Sequence, residues 1–270
     1  MPESITGAEL DREVRSDLLT LTKDTANAVA RHLVMAGRLI DEDPEAAYQH
    51  AAAAASRAGR IGSVREAAGL AAYAAGRYED ALRELRTARR LTGSDDHLPV
   101  LADCERGLGR PERALDLAAT PEASRLDASG RIEMRIVAAG ARIDLGQAEA
   151  AVVSLQGPEL TSRGREPWRA RLLSAYADAL AAAGRLEESE EWLQRAAAAD
   201  PSGETGAAER LRGDVREDVV VYDLLEDAED AEDAEDAEDA EDAEDAEDAE
   251  DAEDAEDAAD SEQDAGSDQR

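Results

Sequence analysis

The residues that could carry catalysis or bind a metal are few, and their spacing favours neither role. The cysteine at position 104 lies in a predicted helix, with no histidine close to it in the sequence. The three histidines, His32, His50 and His97, do not have the spacing of metal ligands with each other or with Cys104. A buried cysteine usually packs as a small apolar residue. We therefore expect a structural role for Cys104 and no metal site.

Known catalytic and nucleotide-binding motifs do not occur either. The segment GLGRPE at 107–112 begins like a dinucleotide-binding fingerprint, but Glu112 stands where the third glycine belongs. The segment also lies between predicted helices, whereas the fingerprint follows a strand. No Walker A, HExxH or GxSxG pattern is present. The sequence therefore predicts a protein that is not an enzyme and that has no cofactor.

The negative charge of the chain is concentrated at its C-terminal end. Residues 226–270 hold 26 acidic residues and one arginine, a net charge of −25, out of −35 for the whole chain. Ten consecutive Ala-Glu-Asp triplets span 228–257 and lack the glycine turn of a calcium-binding loop. Such a tail repels nucleic acid, so we expect no direct binding to it. Two roles stay open: a solvating tail, or an electrostatic decoy or chaperone for a basic partner.

The repetitive sequence of this polyacidic tail predicts a disordered segment at neutral pH. In a helix, each acidic side chain would face like charges three or four residues away, at a cost of about 0.2–0.5 kcal/mol for each pair. Protonation near pH 3 removes most of that repulsion. A peptide covering 226–260 should therefore gain helical circular dichroism between pH 7 and pH 3. Strong helicity at pH 7 in low salt would contradict this prediction.

The remainder of the chain has the composition of a cytoplasmic bacterial protein. It is rich in alanine and has one lysine, Lys23, which is typical of high-GC genomes such as those of actinobacteria. The first residues, MPESITGAEL, lack the basic and apolar regions of a signal peptide. No nonpolar stretch approaches the roughly 20 residues that span a bilayer. We therefore expect a cytoplasmic protein that does not contact a membrane.

A glycine hinge recurs through the body of the chain. Gly-Arg or Gly-Gln pairs repeat at spacings of 33, 37 and 38 residues, within the range of helical-pair repeats, at Gly76, Gly109, Gly146 and Gly184. A small residue stands seven positions before each hinge and five after it, namely Gly69, Ala102, Ala139 and Ala177 before, and Ala81, Ala114, Ala151 and Ser189 after. Facing small residues let two helices approach to about 8 Å. The pattern predicts closely crossing helical hairpins.

These columns resemble the tetratricopeptide repeat family. The match is close over 69–93 and nearly as good over 168–201. It is looser between them, where Pro121 and Pro158 must end the second helices early. Over about 24–201 the resemblance implies an all-α fold, an α-solenoid of about five tetratricopeptide-type helical hairpins. The disordered acidic C-terminal tail follows this region.

The sequence divides into three regions. Residues 1–213 are predicted to form the helical-repeat domain, and 226–270 the polyacidic low-complexity tail. Between them, 214–225 contains the apolar run VVVY and is predicted to be either a linker or a segment that docks on the body and competes with a partner.

The predicted domain includes flanking elements. A first hairpin is expected over 24–56, with Gly37 as its hinge and Pro44 at the start of the second helix. A helix within 8–22 and a short helix within 204–212 are expected to cap the two ends. Arginines cluster between 83 and 90 and between 163 and 171, and we expect both clusters to be solvated because acids interleave them.

The resemblance also implies a binding surface. In the family, the first helix of each pair lines a groove that takes a partner peptide. Those columns correspond here to Asn27, Arg31, Val34, Glu66, Leu70, Tyr73, Asp103, Arg106, Ile136, Gly140, Ile143, Ser174 and Asp178. They lack the lysine and asparagine cluster with which some members hold a C-terminal carboxylate. The implied function is a non-catalytic scaffold that binds another protein through an amphipathic helix or extended peptide. We expect Leu70, Tyr73, Ile136 and Ile143 to expose apolar surface there.

Overall fold

The chain is all-helical wherever its structure is described. A computed structural model describes residues 2, 4–162, 164 and 166–213, so the predicted regions 214–225 and 226–270 lie outside the described residues. Fourteen α-helices and no strand occur within the described part. The helices are α1 Arg12–Asp17, α2 Lys23–Leu39, α3 Pro44–Ala58, α4 Gly62–Ala74, α5 Tyr78–Thr92, α6 Leu98–Gly107, α7 Pro111–Ala118, α8 Pro121–Arg125, α9 Ala128–Asp144, α10 Ala148–Leu155, α11 Pro158–Thr161, α12 Arg169–Ala182, α13 Leu186–Ala199 and α14 Ala207–Leu211.

The four predicted glycine hinges share one backbone geometry. Each glycine has a left-handed φ, between 67° and 74°. The residue after each glycine donates its N–H to the carbonyl five residues earlier, at 2.8 to 2.9 Å. This is the bond of a Schellman motif, which ends a helix and satisfies its last carbonyls. Glycine adopts the required φ at no steric cost, so the predicted hinge positions are confirmed.

Helices on either side of each hinge pack against each other. The four pairs are α4 with α5, α6 with α7, α9 with α10, and α12 with α13. Each second helix also packs against the first helix of the following pair, as in α5 with α6, α7 with α9, and α10 with α12. First helices contact one another directly in α6 with α9 and α9 with α12. The first helices α6, α9 and α12 therefore lie next to one another, and each of them also packs against second helices.

The small residues around the hinges are buried at these helix crossings, as predicted. All eight are buried, and Ala81, Ala114 and Ala151 have no exposed surface. A Cβ added to Gly69 would lie 2.5 Å from Leu85 Cγ and 3.2 Å from the Leu85 backbone nitrogen. Gly69 thus lowers the helix propensity of α4 by about 1 kcal/mol relative to alanine, but it permits a close approach of α5.

The prediction for the first hairpin was wrong at its hinge. Gly37 lies inside α2, which continues to Leu39, and its φ is not left-handed. Residues 40–43 make the turn instead, and Asp43 accepts a hydrogen bond from the Ala46 N–H at 3.0 Å to cap α3. Pro44 occupies the first turn of α3, as predicted. Because this turn carries its own cap and proline, the chain reverses without a glycine.

The prolines shorten two of the second helices, as expected. The helices α7 and α10 have 8 residues each, whereas α5 has 15 and α13 has 14. Pro121 and Pro158 then begin the short helices α8 and α11. Proline has no N–H to bond to the preceding turn, so a new helix starts where the longer one would have continued.

The ends of the described chain are helical over shorter ranges than predicted. The helix expected within 8–22 consists of α1 and a 3₁₀ turn, Leu18–Thr20. The closing helix expected within 204–212 is α14, of 5 residues. In the described part of the chain, no helix combines the length and the apolar character that crossing a membrane requires.

Candidate interaction groove

At the N-terminal end, the chain itself covers part of the predicted binding surface. The side chain of Arg31 donates from Nη2 to the carbonyl of Pro2 at 3.1 Å. A Cβ added to Gly7 would lie 2.6 Å from a side chain of α2, so the N-terminal segment packs tightly there. Val34 is buried and Asn27 is exposed. Of the three residues predicted on α2, Asn27 alone is therefore exposed.

The C-terminal end of the predicted surface is covered in the same way. Ser174 is buried, and its Oγ accepts a hydrogen bond from Arg210 of α14 at 3.3 Å. The same guanidinium forms an ion pair with Asp178. Ala207 is buried in a hydrophobic cluster that includes Leu172, Leu193 and Ala196, which we call the C-terminal cluster, and this packing fixes α14 in position. These two predicted residues therefore hold the closing helix.

In the middle of the surface, the predicted residues form one hydrogen-bonded network. The hydroxyl of Tyr73 on α4 donates to Asp103 Oδ2 on α6 at 2.5 Å. Arg106 donates from Nη1 to Asp103 Oδ1 at 2.8 Å and from Nε to Asp144 Oδ2 on α9 at 2.7 Å. A Cβ at Gly140 would lie 2.5 Å from Arg106 Cζ, so this glycine leaves room for the guanidinium. The network links three successive first helices.

Burial and nearby negative charge keep two groups at the network protonated, the Tyr73 hydroxyl and the Cys104 thiol. Burial, followed by the negative charge of Asp103, raises the pKa of the Tyr73 hydroxyl far above neutrality, so it remains a hydrogen-bond donor. The neighbouring Cys104 is fully buried, and burial raises the pKa of its thiol to about 12. A protonated thiol without exposure is a poor nucleophile, which agrees with the packing role that we expected.

The predicted apolar residues are less exposed than expected. Leu70 is half-buried against a hydrophobic cluster that includes Leu85 and Leu101, and Ile136 and Ile143 are half-buried against the C-terminal cluster. Tyr73 is half-buried as well, so the apolar surface that we expected at these four positions is partly exposed. Glu66, two turns before Tyr73 on α4, pairs with His97 Nε2 at 3.0 Å and takes no part in the network.

A groove adjoins the network on the side of α6 and α9. Its volume is about 590 Å³, and we call it the α6–α9 groove. The uncharged residues that line it are Tyr73, Pro99, Val100, Leu126, Ser129, Gly130 and Val137. Its charged lining is Asp96, Asp103, Asp127, Glu133 and Arg171. These residues come from α4, α6, α9, α12 and the loops before α6 and α9, so four first helices contribute to one depression.

Three of the charged residues, Asp127, Glu133 and Arg171, hold neighbouring elements in place. Asp127 caps α9, because its Oδ1 accepts the Gly130 N–H at 2.7 Å. Glu133 accepts from Arg171 of α12 at 2.5 Å. Asp96 is exposed in the loop before α6. Four carboxylates and one guanidinium line the groove, which gives it a formal charge of −3.

Most of the groove residues were missed by the sequence prediction. Only Tyr73 and Asp103 were predicted as partner-binding residues and also line the α6–α9 groove. Ser129, Glu133 and Val137 repeat every four residues along α9, beside the predicted column that contains Gly140. That spacing was a usable signal. It was overlooked because the middle repeats match the family loosely and the start of α9 at Ala128 was not placed.

A larger cavity, of about 740 Å³, lies elsewhere, between α3, α4 and α5. None of the predicted partner-binding residues lines it. The arginine most engaged there, Arg65, donates to the Gly59 carbonyl at 2.8 Å and to Glu84 Oε2 at 2.5 Å. These bonds connect α4 to α5 and to the preceding turn, so the arginine has a structural function.

Two histidines that are distant in sequence lie next to each other. The Nδ1 atoms of His32 on α2 and His50 on α3 are 3.0 Å apart, which the sequence spacing did not predict. One ring donates and the other accepts in such a pair. Among the residues that the structure describes, no three or more His, Cys, Asp or Glu side chains are grouped to hold a metal ion.

Comparisons of the sequence with known proteins add no relationship to this geometry. No protein-family model matches the chain, and no curated protein matches it.

Proposed function

We propose that the chain is a non-catalytic interaction scaffold. In this proposal its helical hairpins form a tetratricopeptide-type α-solenoid, and a segment of another protein binds in the α6–α9 groove. The shared hinge geometry and the repeated packing of each second helix between two first helices support the proposed architecture. Helical-pair repeats present such surfaces because each pair contacts its neighbours and extends the same face.

The observation that carries the functional proposal is the apolar floor of this groove. Pro99 and Leu126 are buried, while Tyr73, Val100 and Val137 are half-buried and keep part of their surface accessible. The volume of about 590 Å³ lies within the roughly 300–1,000 Å³ of ligand-binding clefts. Apolar surface with a polar rim is typical of interaction sites.

The hydrogen-bonded network beside the groove also favours binding, because it orders side chains of the groove before a partner binds. Tyr73, Asp103 and Arg106 hold one another through short hydrogen bonds, so these side chains are ordered before a partner arrives. Ordering a side chain on binding costs about 0.5–1.5 kcal/mol. A groove that is ordered in advance avoids that cost and binds a short segment more tightly.

A matched pair of variants tests the scaffold proposal. The full chain is used to select binders from a library of random twelve-residue peptides, and each binder is then measured against Val137→Trp and Val153→Trp. The first substitution fills the groove, whereas the second places the same side chain on an exposed position of α10. We expect peptides whose affinity falls at least tenfold with Val137→Trp alone. If every peptide binds both variants equally, the proposal fails.

The composition of the tail favours a second candidate function, a decoy or chaperone for a basic partner. Removing residues 226–270 distinguishes the two. A scaffold keeps its groove-dependent peptides after the removal, whereas a decoy loses its partner and shows steep salt dependence before the removal.

A further inference from the structure

Resting on the proposed scaffold function, we infer that the α6–α9 groove takes a basic segment of its partner. Such a segment places an apolar side chain on the groove floor and an arginine or lysine beside the carboxylates at one end. The inference combines three features of the groove: its apolar floor, its net negative lining and the position of two carboxylates that form no ion pair with an arginine or lysine among the described contacts.

The sign of the groove charge excludes an acidic occupant. Arg171 is the one cation in the lining, and its guanidinium is bound by Glu133 within the same groove. It also lies 3.8 Å from Glu204. This positive charge is therefore already neutralised. An acidic side chain entering the groove would meet carboxylates without a cation to accept it, and like-charge contacts oppose association strongly.

The carboxylates fall into two levels along the groove. Asp103 and Glu133 lie in the second turns of α6 and α9, where Arg106 and Arg171 engage them. Asp96 and Asp127 lie just before the first residues of these two helices. Asp127 accepts a backbone N–H there, and both residues are exposed. The carboxylates at this end are paired with no arginine or lysine in the described contacts, so this end suits a cationic side chain.

The floor beside this end is apolar. Pro99 and Leu126 are buried, and Val100, one turn after Asp96 along the chain, is half-buried. A partner residue that covers Val100 would therefore lie next to the Asp96–Asp127 end. Because an extended chain advances about 3.3 Å for each residue, we expect the cation within two or three residues of the apolar anchor.

The peptides from the Val137→Trp experiment test this inference. Those that depend on the groove should carry arginine or lysine within three residues of an apolar side chain. Their affinity should fall about tenfold with Asp96→Lys, since like charges then meet. The matched control Asp41→Lys makes the same change at an exposed loop position outside the groove and should leave the affinity within about twofold. The acidic tail is the same in every variant, so its attraction for basic peptides cancels.

A charge swap makes the test specific. Replacing the peptide cation with glutamate should weaken binding to the natural chain and restore it with Asp96→Lys. Groove-dependent peptides that are neutral or acidic, or equal effects of Asp96→Lys and Asp41→Lys, would overturn the inference while leaving the scaffold proposal intact. If no peptide depends on the groove, the scaffold proposal itself fails.

Discussion

At the scale of single residues, replacing two glycines that both lie inside helices should change stability in opposite directions. Gly69 faces Leu85 so closely that an added Cβ would lie 2.5 Å from Leu85 Cγ, whereas no atom lies within 4 Å of a Cβ added to Gly37. We expect Gly37→Ala to stabilise the protein by about 0.5–1 kcal/mol through helix propensity. We expect Gly69→Ala to destabilise it by about 1 kcal/mol or more, because overpacking outweighs the gain.

Urea unfolding at neutral pH measures both substitutions on the same scale. A stabilising Gly69→Ala substitution would show that α4 and α5 do not cross as closely as described, and the packing explanation for this glycine would be wrong.

The environment of His32 predicts a loss of stability in mild acid. Burial, then the charges of His50, Arg57 and Arg31, lower the pKa of His32 below its usual 6.5. The unfolded chain then takes up the proton first, so the contribution of His32 to stability falls as pH decreases below about 6.5. His32→Asn should therefore flatten the loss of unfolding free energy between pH 7 and pH 5. An unchanged slope would contradict the pairing with His50.

His97 should show the opposite dependence. Its hydrogen bond to Glu66 raises the pKa of the imidazole, so its contribution is complete below about 6.5 and is lost as pH rises through the folded-state value. Because Glu66 is substantially exposed, we expect less than about 1 kcal/mol. His97→Asn should destabilise the protein at pH 6 and have little effect at pH 8.5. Equal effects at both pH values would exclude this ion pair as the cause.

At the scale of helices, an ion pair between α5 and α6 connects two consecutive hairpins. The carboxylate of Glu105 on α6 is almost completely buried and accepts from Arg86 Nη2 on α5 at 2.6 Å. Arg86 is exposed, as expected for its arginine cluster, and its contact with Glu105 lies across the boundary between two helical pairs. Arg110 lies 3.6 Å from the other oxygen.

Removing the arginine would leave a buried charge. We expect Arg86→Met to destabilise the protein by about 2 kcal/mol, below the full cost of breaking a buried pair because Arg110 remains. Arg90→Met, on the same helix, should change the free energy of unfolding by less than about 0.5 kcal/mol. Adding Glu105→Leu to Arg86→Met should recover most of the loss. Equal effects of the two arginine substitutions would contradict a structural role for the pair.

The sequence predicted the helices better than it predicted the site. Hinges are local: Gly76 needs a left-handed φ, and the preference of glycine for that conformation is readable from one position. Gly37 has the same neighbour, an arginine, yet lies within a helix because the Asp43–Pro44 start of α3 supplies the turn. The proline-shortened helices were predictable for the same local reason.

The groove depends on which helices become neighbours, and that information is not local. Glu133 and Arg171 are 38 residues apart, and their ion pair forms only because α9 packs against α12. The ends of the predicted surface were unpredictable for a similar reason. No sequence pattern showed that Arg210 would return from α14 to cover Ser174 and Asp178.

At the scale of the whole described molecule, the close helix packing and the proposed binding groove involve different parts of the helical pairs. The second helices bury their small residues between successive first helices, while the first helices carry the network and the groove. A partner in the groove would therefore touch α6 and α9 without disturbing the buried alanines. This separation predicts that groove variants such as Asp96→Lys alter affinity without changing the melting temperature.

Hydrogen–deuterium exchange of the full chain, with and without a groove-dependent peptide, tests the central claim most directly. The groove proposal predicts slower exchange at backbone amides of the loops 94–98 and 126–130 and in the first turns of α6 and α9. Exchange in α7 and α10 should not change. Slower exchange confined to the second helices, or to the cavity between α3 and α5, would contradict the proposal that partners bind in the α6–α9 groove.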